Sequence, residues 1–464
     1  MARLEKRRRI STAVSIPDDL LISEVLVRLP VKSLARFRSV CRSWGAGIAD
    51  PAFVRRHRDL SRATARCAPS VLAIPREVDP DDEQATSGEI CFHRLLPGGG
   101  GHATNAGEMI FEKAWPGGIT RLIFPAHCDG LVAVATTTDH VFVCNPATRE
   151  FAALPPGSHD ARLDHCDLLV PPVAVGHDPW RNAYVVARCF YRRYGRMRFE
   201  EATGTYAQDY DIGHEVLTLA GGEPRRWEAT QDPPHAVDGV HRPICTRRAF
   251  YWHGGVARPR LMRFSLQHRT FDVVPRPPTG YDTADDMASL MDGSKLCYVH
   301  ALAAASFQVW LADDGAKLEW SLLCRIDLAD PLLPNLSYAV TPLMMNHGAG
   351  HQMLLLAING SKLCRYDVRN KVLDQVMDTQ HELPRADTAS FFWERYVVPY
   401  AESLVSPTAT KAKGGPTARV TNWEAGTCSV VEVVVVDPIR VLEHVMKTLH
   451  QLSLHNRLVL AHES

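Results

Sequence analysis

Short segments in which apolar and polar residues alternate recur from about residue 120 onward, separated by residues that favour tight turns. The clearest pair covers residues 354–366 around Asn359-Gly360, because Asn-Gly readily adopts the positive φ angles of a type I′ turn. Further hairpins are predicted at residues 130–144, 261–274, 289–299 and 307–323. Their spacing of roughly 45 to 50 residues is that of four-stranded propeller blades. The pattern predicts an all-β propeller of roughly six to seven blades over residues 120–406, with a β-sandwich as the alternative.

A second pattern, with helical spacing, precedes the strands. Residues 16–57 carry four short helix signals, and the first helix should end where Pro30 steers the preceding residue out of the α region. Ser39 offers an N-cap for the third helix, and Asp50 before Pro51 starts the fourth. So small a unit carries more apolar surface than it can bury alone, so we expect either a cap on the larger domain or a partner-docking module.

The same helical residues resemble the F-box, the module that docks F-box proteins onto a Skp-type adaptor of a cullin–RING ubiquitin ligase. Ile16-Pro17-Asp18-Asp19-Leu20 is similar to its opening, although leucine is commoner than Ile16 at the first position, and the similarity runs without a gap to His57. The resemblance implies that apolar side chains hold the adaptor. The implied contacts are Ile16, Pro17, Leu20, Leu21, Leu26, Leu29, Pro30, Val31, Leu34, Phe37, Val40, Cys41 and Trp44.

The strand region resembles the F-box-associated domain of many plant proteins, a kelch-like propeller. Residues 127–154 are similar to its opening, and Gly176-His177-Asp178-Pro179 is similar to its second signature without the phenylalanine that often lies between the two glycines of that signature. The resemblance covers about residues 120–406. A charged, aromatic insertion over residues 192–211 lengthens one unit and leaves the blade number open.

The two resemblances together imply the substrate-recognition subunit of an SCF-type ubiquitin ligase. On this hypothesis the helical module binds the adaptor, the propeller binds a target protein, and the chain itself performs no bond chemistry. Two alternatives stay open: an enzyme with an active site in the propeller channel beneath a helical cap, and an adaptor-bound scaffold without ligase output.

Composition and motifs favour a binding protein without cofactor or metal. The 464 residues contain 52 Lys and Arg against 52 Asp and Glu, so the chain lacks the net positive charge of a general nucleic-acid binder. None of its apolar runs approaches the roughly 20 residues of a spanning helix, so no membrane partner is expected. The twelve cysteines include no C-x-x-C pair, which argues against structural zinc. Common nucleophile, phosphate-loop and dinucleotide motifs are missing as well.

The chain divides into six predicted segments. A basic tail over residues 1–14 includes Lys6-Arg7-Arg8-Arg9, which reads either as a nuclear import signal or as a solvated, disordered tail, so we expect residence in the nucleus, the cytoplasm or both. The remaining segments are the F-box at 15–62, a linker with possible first propeller strands at 63–119, the propeller at 120–406, a linker at 407–427, and a strand with an amphipathic helix at 428–464. That last segment should pack on the propeller or form a second partner site.

Target binding is predicted in two loops, residues 190–210 and 247–260, because tyrosine, tryptophan and arginine are enriched at interface hot spots. Clustered arginines favour an acidic or phosphorylated target. A solvated charged insertion without a partner is the alternative for the first loop. The candidate residues are Tyr191, Arg192, Arg193, Tyr194, Arg196, Arg198, Arg258 and Arg260.

Overall fold

The computed structural model shows a helical unit, defined here as residues 17–67, followed by six four-stranded sheets. It describes residues 17–67, 70–75, 87–97, 107–119, 125–136, 139–165, 173–200, 205–219, 225–237, 241–255, 260–282, 284–290, 293–328, 338–348, 351–360, 362–379 and 395–408. The predicted segments 1–14 and 428–464, and residues 409–427 of the predicted linker 407–427, therefore lie outside the described residues.

The helical unit follows the predicted order, with a correction at its third helix. Its helices are α1 (Asp18–Leu20), continued by a π turn (Leu21–Val25) and a 3-10 turn (Leu26–Arg28), α2 (Val31–Phe37), α3 (Arg42–Ala49) and α4 (Pro51–Cys67). Leu29 is extended, so the first helix ends before Pro30 as expected. The cap of α3 is Cys41 rather than Ser39, since the Cys41 thiol accepts from the Trp44 amide at 3.4 Å. Val40 therefore lies in the turn before α3.

Helix α4 begins as predicted and covers the core of the unit. Asp50 Oδ1 accepts from the Ala52 amide at 2.6 Å, which satisfies one of the free donors of the first turn. His57 on α4 is buried, with Nε2 3.0 Å from the Leu29 carbonyl oxygen. This bond ties the last helix to the end of the first.

Each sheet is antiparallel and forms one propeller blade, numbered 1 to 6 along the chain. Blade 1 contains β1 (Ser70–Pro75), β2 (Ser87–Leu95), β3 (Glu108–Ile119) and β24 (Arg395–Tyr400). Blade 2 contains β4 (Ala126–Cys128), β5 (Leu131–Ala135), β6 (Val141–Asn145) and β7 (Glu150–Ala153). Blade 3 contains β8 (Ala174–Asp178), β9 (Ala183–Glu200), β10 (Thr205–Thr218) and β11 (Glu228–Ala229).

Blades 4 to 6 are built in the same order. Blade 4 contains β12 (Ile244–Cys245), β13 (Ala249–His253), β14 (Leu261–Ser265) and β15 (Phe271–Val274). Blade 5 contains β16 (Asp286–Leu290), β17 (Lys295–Ala303), β18 (Ser306–Asp313) and β19 (Ser321–Asp327). Blade 6 contains β20 (Val340–Gly348), β21 (His351–Ile358), β22 (Lys362–Asp367) and β23 (Val372–Asp378).

The ring is closed by blade 1, in which β24 pairs with β1 from Ser70↔Tyr400 to Pro75↔Arg395. The propeller thus begins at Ser70 and not at residue 120. The stretch 63–119, which the sequence indicated as a linker with possible strands, supplies the end of α4 and three strands of this blade. Its proline-, glycine- and acid-rich composition concealed β2.

The predicted hairpins are present, and the turn of β21 and β22 has the expected geometry. Asn359 and Gly360 have φ angles of 50° and 63°, as a type I′ turn requires. The blades pack face to face, so apolar side chains of neighbouring sheets share each core. Phe250 and Trp252 of blade 4, for example, pack with Val185 and Ala187 of blade 3. Because the strands are buried on both faces, the ring is one continuous packed body.

A buried histidine makes the stability of this body depend on pH. His214 packs 4.3 Å from the ring centroid of Phe264, and burial lowers its pKa from 6.5 to about 3. Between these values the unfolded chain binds a proton that the folded chain does not, so stability that is complete above pH 6.5 is lost as the pH falls. We expect His214 to contribute about 1.4 kcal/mol per pH unit to that loss. In urea unfolding between pH 7 and 5, His214→Leu should show a correspondingly shallower dependence, and an unchanged slope would contradict this assignment.

Candidate functional site

The helical unit lies on one face of the propeller and is fixed there by a partly buried ion pair. Arg62 of α4 donates to both carboxylate oxygens of Asp129 at 2.5 and 2.6 Å, and the Tyr184 hydroxyl donates to the same carboxylate at 2.7 Å. Burial opposes the charge of Arg62, but Asp129 raises its pKa above the ordinary value. Ser403 donates to the Asp129 carbonyl oxygen. This junction therefore joins α4 to blades 1, 2 and 3.

The turn at this junction needs an unusual backbone. Asp129 and Gly130 have φ angles of 52° and 83°, and a Cβ atom on Gly130 would lie 2.9 Å from Ser403 Oγ. Only glycine fits so close to the chain that follows β24. The turn thereby presents the Asp129 carboxylate to α4.

A second contact holds the N-terminus of α2. The Val31 amide donates to Glu402 at 3.2 Å, and Lys32 donates to Glu108 at 2.9 Å. Arg94 bonds both of these carboxylates. The Lys32 hydrogen bond lowers the pKa of Glu108, whereas burial raises that of Glu402. Two polar contacts, one on α2 and one on α4, thus set the orientation of the helical unit.

The predicted adaptor contacts separate into three groups. Five are buried in the core of the chain itself and are not available to a partner in this structure: Leu26, Leu29, Val31, Leu34 and Trp44. Leu21, Pro30 and Phe37 are half-buried, and Ile16 lies outside the described residues. Pro17, Leu20, Val40 and Cys41 are exposed. The apolar pattern predicted that these side chains would be buried. The four helices and the propeller already bury many of them, so a smaller set is left exposed for a partner.

The described residues of the predicted target loop 190–210 form a β-ribbon. Residues 190–200 and 205–210 belong to the long strands β9 and β10, in which side chains alternate between the two faces. Tyr191 is buried, and its hydroxyl donates to the Val237 carbonyl oxygen at 3.0 Å, so it is a core residue. Tyr194 packs on it at 5.0 Å between ring centroids. Both tyrosines therefore pack within the propeller and are not exposed as interface anchors.

The arginines of the ribbon are engaged within the chain. Arg192 pairs with Asp211 at 3.0 Å and with Asp232 at 2.8 Å, and Arg193 pairs with Asp209 at 3.2 Å. Arg198 is exposed, and nothing is described of the Arg196 side chain. The ribbon therefore carries less free positive charge than the run of arginines in the sequence indicates.

The second predicted target loop, 247–260, contains strand β13. Tyr251 and Trp252 are fully buried between blades, and Tyr251 donates to Asp314 at 2.7 Å. Arg260 is exposed, and Arg258 lies outside the described residues. The aromatic residues expected beside these arginines thus belong to the core.

One buried acid–imidazole pair, His300 with Asp285, is relevant to the alternative that the propeller carries an enzyme active site. His300 Nδ1 lies 2.9 Å from Asp285, which also accepts from the Tyr298 hydroxyl and the Ala301 amide, both at 2.9 Å. These donors come from β17, so the carboxylate holds that strand against the start of β16. Among the described residues, no group of three or more His, Cys, Asp and Glu is arranged to hold a metal ion. No helix in the described part is long and apolar enough to cross a membrane.

Comparison with known proteins supports both predicted modules. Residues 15–56 match the F-box domain family and residues 108–331 match the F-box associated beta propeller domain family. An F-box/LRR-repeat/kelch-repeat protein of Arabidopsis thaliana is 23% identical over 334 residues, which cover 70% of this chain and 80% of that protein. A putative F-box/kelch-repeat protein of the same plant is 32% identical over 295 residues, which cover 58% and 62%. A solved six-bladed lectin of Aleuria aurantia shares 11% identity with a TM-score of 0.36, covering 65% of this chain and 91% of the lectin.

Proposed function

This chain belongs to the F-box proteins that carry an associated β-propeller domain, and we propose that it is the substrate-receptor subunit of an SCF-type cullin–RING ubiquitin ligase. The helical unit binds a Skp-type adaptor, and the propeller binds the target protein. The chain itself is not a catalyst. Its contribution is proximity, because a tethered target meets the ubiquitin-carrying enzyme at a high effective concentration.

The observation that carries this proposal is the exposure of apolar side chains on the helical unit. The N-terminal end of α2 is bound by Glu402, and Val40 lies in the turn that follows the C-terminal end of α2. Leu20 is 53% exposed and Val40 is 43% exposed. Large apolar side chains that stay exposed to solvent beside a packed core are typical of a protein interface. These exposed side chains support adaptor binding by the helical unit.

Replacing both exposed residues should separate docking from folding. We expect Leu20→Asp with Val40→Asp to weaken adaptor binding at least 100-fold, since truncating a central apolar anchor typically costs about 2 kcal/mol and a buried charge costs more. Isothermal titration of the full chain with purified adaptor measures this. Because both side chains are exposed, the thermal midpoint should stay within a few degrees of the wild-type value.

A matched control uses Val273→Asp with Val372→Asp, two exposed apolar residues on the outermost strands of blades 4 and 6. That variant should bind the adaptor like the wild type. Equal affinity of all three proteins for the adaptor would refute the proposed docking surface, and no measurable binding by the wild type would refute the proposed function. Leu34→Ala and Trp44→Ala are unsuitable here, because both side chains are buried in the core of the helical unit.

A further inference from the structure

The turn between α2 and α3 is rich in arginine. Arg36, Arg38 and Arg42 are exposed, and residues 25–49 contain no Asp or Glu. Neither Arg36 nor Arg42 forms an ion pair with a residue that the structure describes. Arg38 lies near one acid, Glu150 of blade 2, where burial raises the pKa of the carboxyl against the opposing charge of Arg38. Four other arginines of the helical unit are paired, namely Arg28 and Arg56 with Glu24, Arg58 with Asp59, and Arg62 with Asp129.

Ser39 is an exposed residue of this turn. It follows α2, which ends at Phe37, and precedes α3, and its Oγ donates to the Arg36 carbonyl oxygen at 2.7 Å. Arg36 and Arg38 precede Ser39 by three positions and by one. Protein kinases select substrates partly by charge pattern, and an acidic substrate groove suits a hydroxyl that follows basic residues. Ser39 thus combines an accessible hydroxyl with the charge that such a groove binds.

A phosphate group on Ser39 would change the surface beside Val40. Ser39 directly precedes Val40, one of the exposed apolar residues of the proposed docking surface. The phosphate would carry about −1.5 to −2 charges at pH 7, and such a group disrupts a hydrophobic interface because it must lose its hydration there. On the free chain, Arg36 and Arg42 supply guanidinium donors that pair with phosphate oxygens. The modification therefore favours the undocked state of the helical unit.

We propose that Ser39 is a phosphorylation site and that its modification blocks adaptor docking. A protein kinase with an acidic substrate groove transfers the γ-phosphoryl group of MgATP to Ser39 Oγ, the hydroxyl proton passes to the catalytic aspartate of the kinase, and ADP leaves. Kinase and adaptor compete for the same turn, because docking covers Val40. Phosphorylation thus acts on the chain that is free of the ligase. This inference rests on the proposed function, since it regulates the proposed docking surface.

Ser61 is a matched control within the same helical unit. Arg58 precedes Ser61 by three positions, as Arg36 precedes Ser39. Arg58, however, pairs with Asp59 at 3.0 Å and donates to the Tyr184 hydroxyl at 3.4 Å. Ser61 itself is half-buried within α4. The two serines therefore share an arginine at the same spacing and differ in accessibility and in the charge that is free beside them.

The first test measures phosphorylation of the full chain by the catalytic subunit of cyclic-AMP-dependent protein kinase, which prefers arginine before serine. Every protein carries Ser11→Ala, because Ser11 follows the basic run 6–9 and lies outside the described residues. With MgATP, peptide mass spectrometry should find phosphate on Ser39 and little on Ser61. Arg36→Gln should slow the modification of Ser39 about tenfold, because one charge-assisted contact is lost, and bound adaptor should block it. An unmodified Ser39, equal modification of Ser61, or an equal rate in the adaptor complex would overturn the inference.

The second test measures adaptor binding by isothermal titration. We expect the phosphorylated chain to bind at least about 30-fold more weakly than the unmodified chain, since a doubly charged group must be desolvated beside Val40. Ser39→Ala, treated with kinase in the same way, should keep the affinity of the untreated protein. Equal affinity of the phosphorylated and unmodified chains would contradict the regulation. If the untreated wild type does not bind adaptor, the proposed function fails, while mass spectrometry still decides whether Ser39 is modified.

Discussion

A chain that ends at Asp378, the last residue of β23, is expected to lose the cooperative fold of the whole propeller. It lacks β24, the innermost strand of blade 1, whose residues pair with β1 along its entire length. Val398 and Tyr400 leave the core that they share with Phe92. Burying one such side chain stabilises a fold by about 1.5–3 kcal/mol, while a whole domain is stable by only about 5–15 kcal/mol.

The same truncation removes contacts beyond β24. Asn145 of blade 2 donates to the carbonyl oxygens of Ser403 and Val405 at 2.9 and 2.7 Å, and these bonds hold blade 2 against blade 1. Without them the ring has an open seam with the unpaired edge of β1, and exposed strand edges promote aggregation. The loss is therefore comparable with the total stability of the domain.

Two longer chains test this expectation, one truncated after β24 and one of full length with a substitution in β24. A chain that ends at Thr408 keeps β24 and its contacts and should unfold in one transition near the wild-type temperature. The full-length variant Val398→Asp places a charge in the core at the seam and should be destabilised by several kcal/mol. Size-exclusion chromatography and calorimetry compare all four proteins. A monomeric Asp378 chain with the wild-type midpoint would show that ring closure is not needed.

The parts of the fold that local sequence determines were predicted. Asn359-Gly360 specifies its turn through two adjacent residues, and the hairpin of β14 and β15 was predicted from two short apolar segments that are close together in the chain. The six-bladed ring agrees with the predicted class. Blade 1 was placed incompletely because β1 and β24 are about 320 residues apart in the chain, and no local pattern shows that they pair.

The candidate site was predicted in outline only. The spacing of apolar residues shows that Leu34 and Trp44 are covered, but it does not show whether a partner or the chain itself covers them. Tyr191 was assigned to a loop because charged neighbours obscured the strand alternation that points it inward. No sequence pattern predicts the Arg62–Asp129 junction, since the two residues are 67 positions apart and neither belongs to a recognisable motif.

This junction is expected to be the most sensitive point between the two domains. The Asp129 side chain is 4% exposed, so Arg62→Met leaves a buried carboxylate with Tyr184 as its remaining side-chain donor. Breaking a buried pair from one side costs about 3–5 kcal/mol, because the remaining charge loses its compensation. Arg62 itself is 30% exposed, so we expect about 3 kcal/mol in denaturant unfolding of the full chain.

A double-mutant cycle separates this charge effect from lost packing. Asp129→Asn retains the positive φ angle, which asparagine tolerates, and removes the charge, so Arg62→Met with Asp129→Asn should recover part of the loss caused by Arg62→Met alone. The exposed pair of Arg192 and Asp211 is the matched control, and Arg192→Met should cost less than about 1 kcal/mol. Additive effects at the junction would contradict a coupled pair.

The same variants test whether the junction orients the target. Adaptor affinity should be unchanged in Arg62→Met, since the exposed residues Leu20 and Val40 take no part in the junction. In the adaptor complex, however, small-angle scattering or fluorescence energy transfer between the helical unit and blade 5 should report a broader range of distances. Under the proposed function, target ubiquitination should then fall although both partners still bind, because the target's lysines spend less time within reach of the conjugating enzyme. An unchanged distance distribution would leave the Val31–Glu402 contact of α2 as the element that sets the orientation.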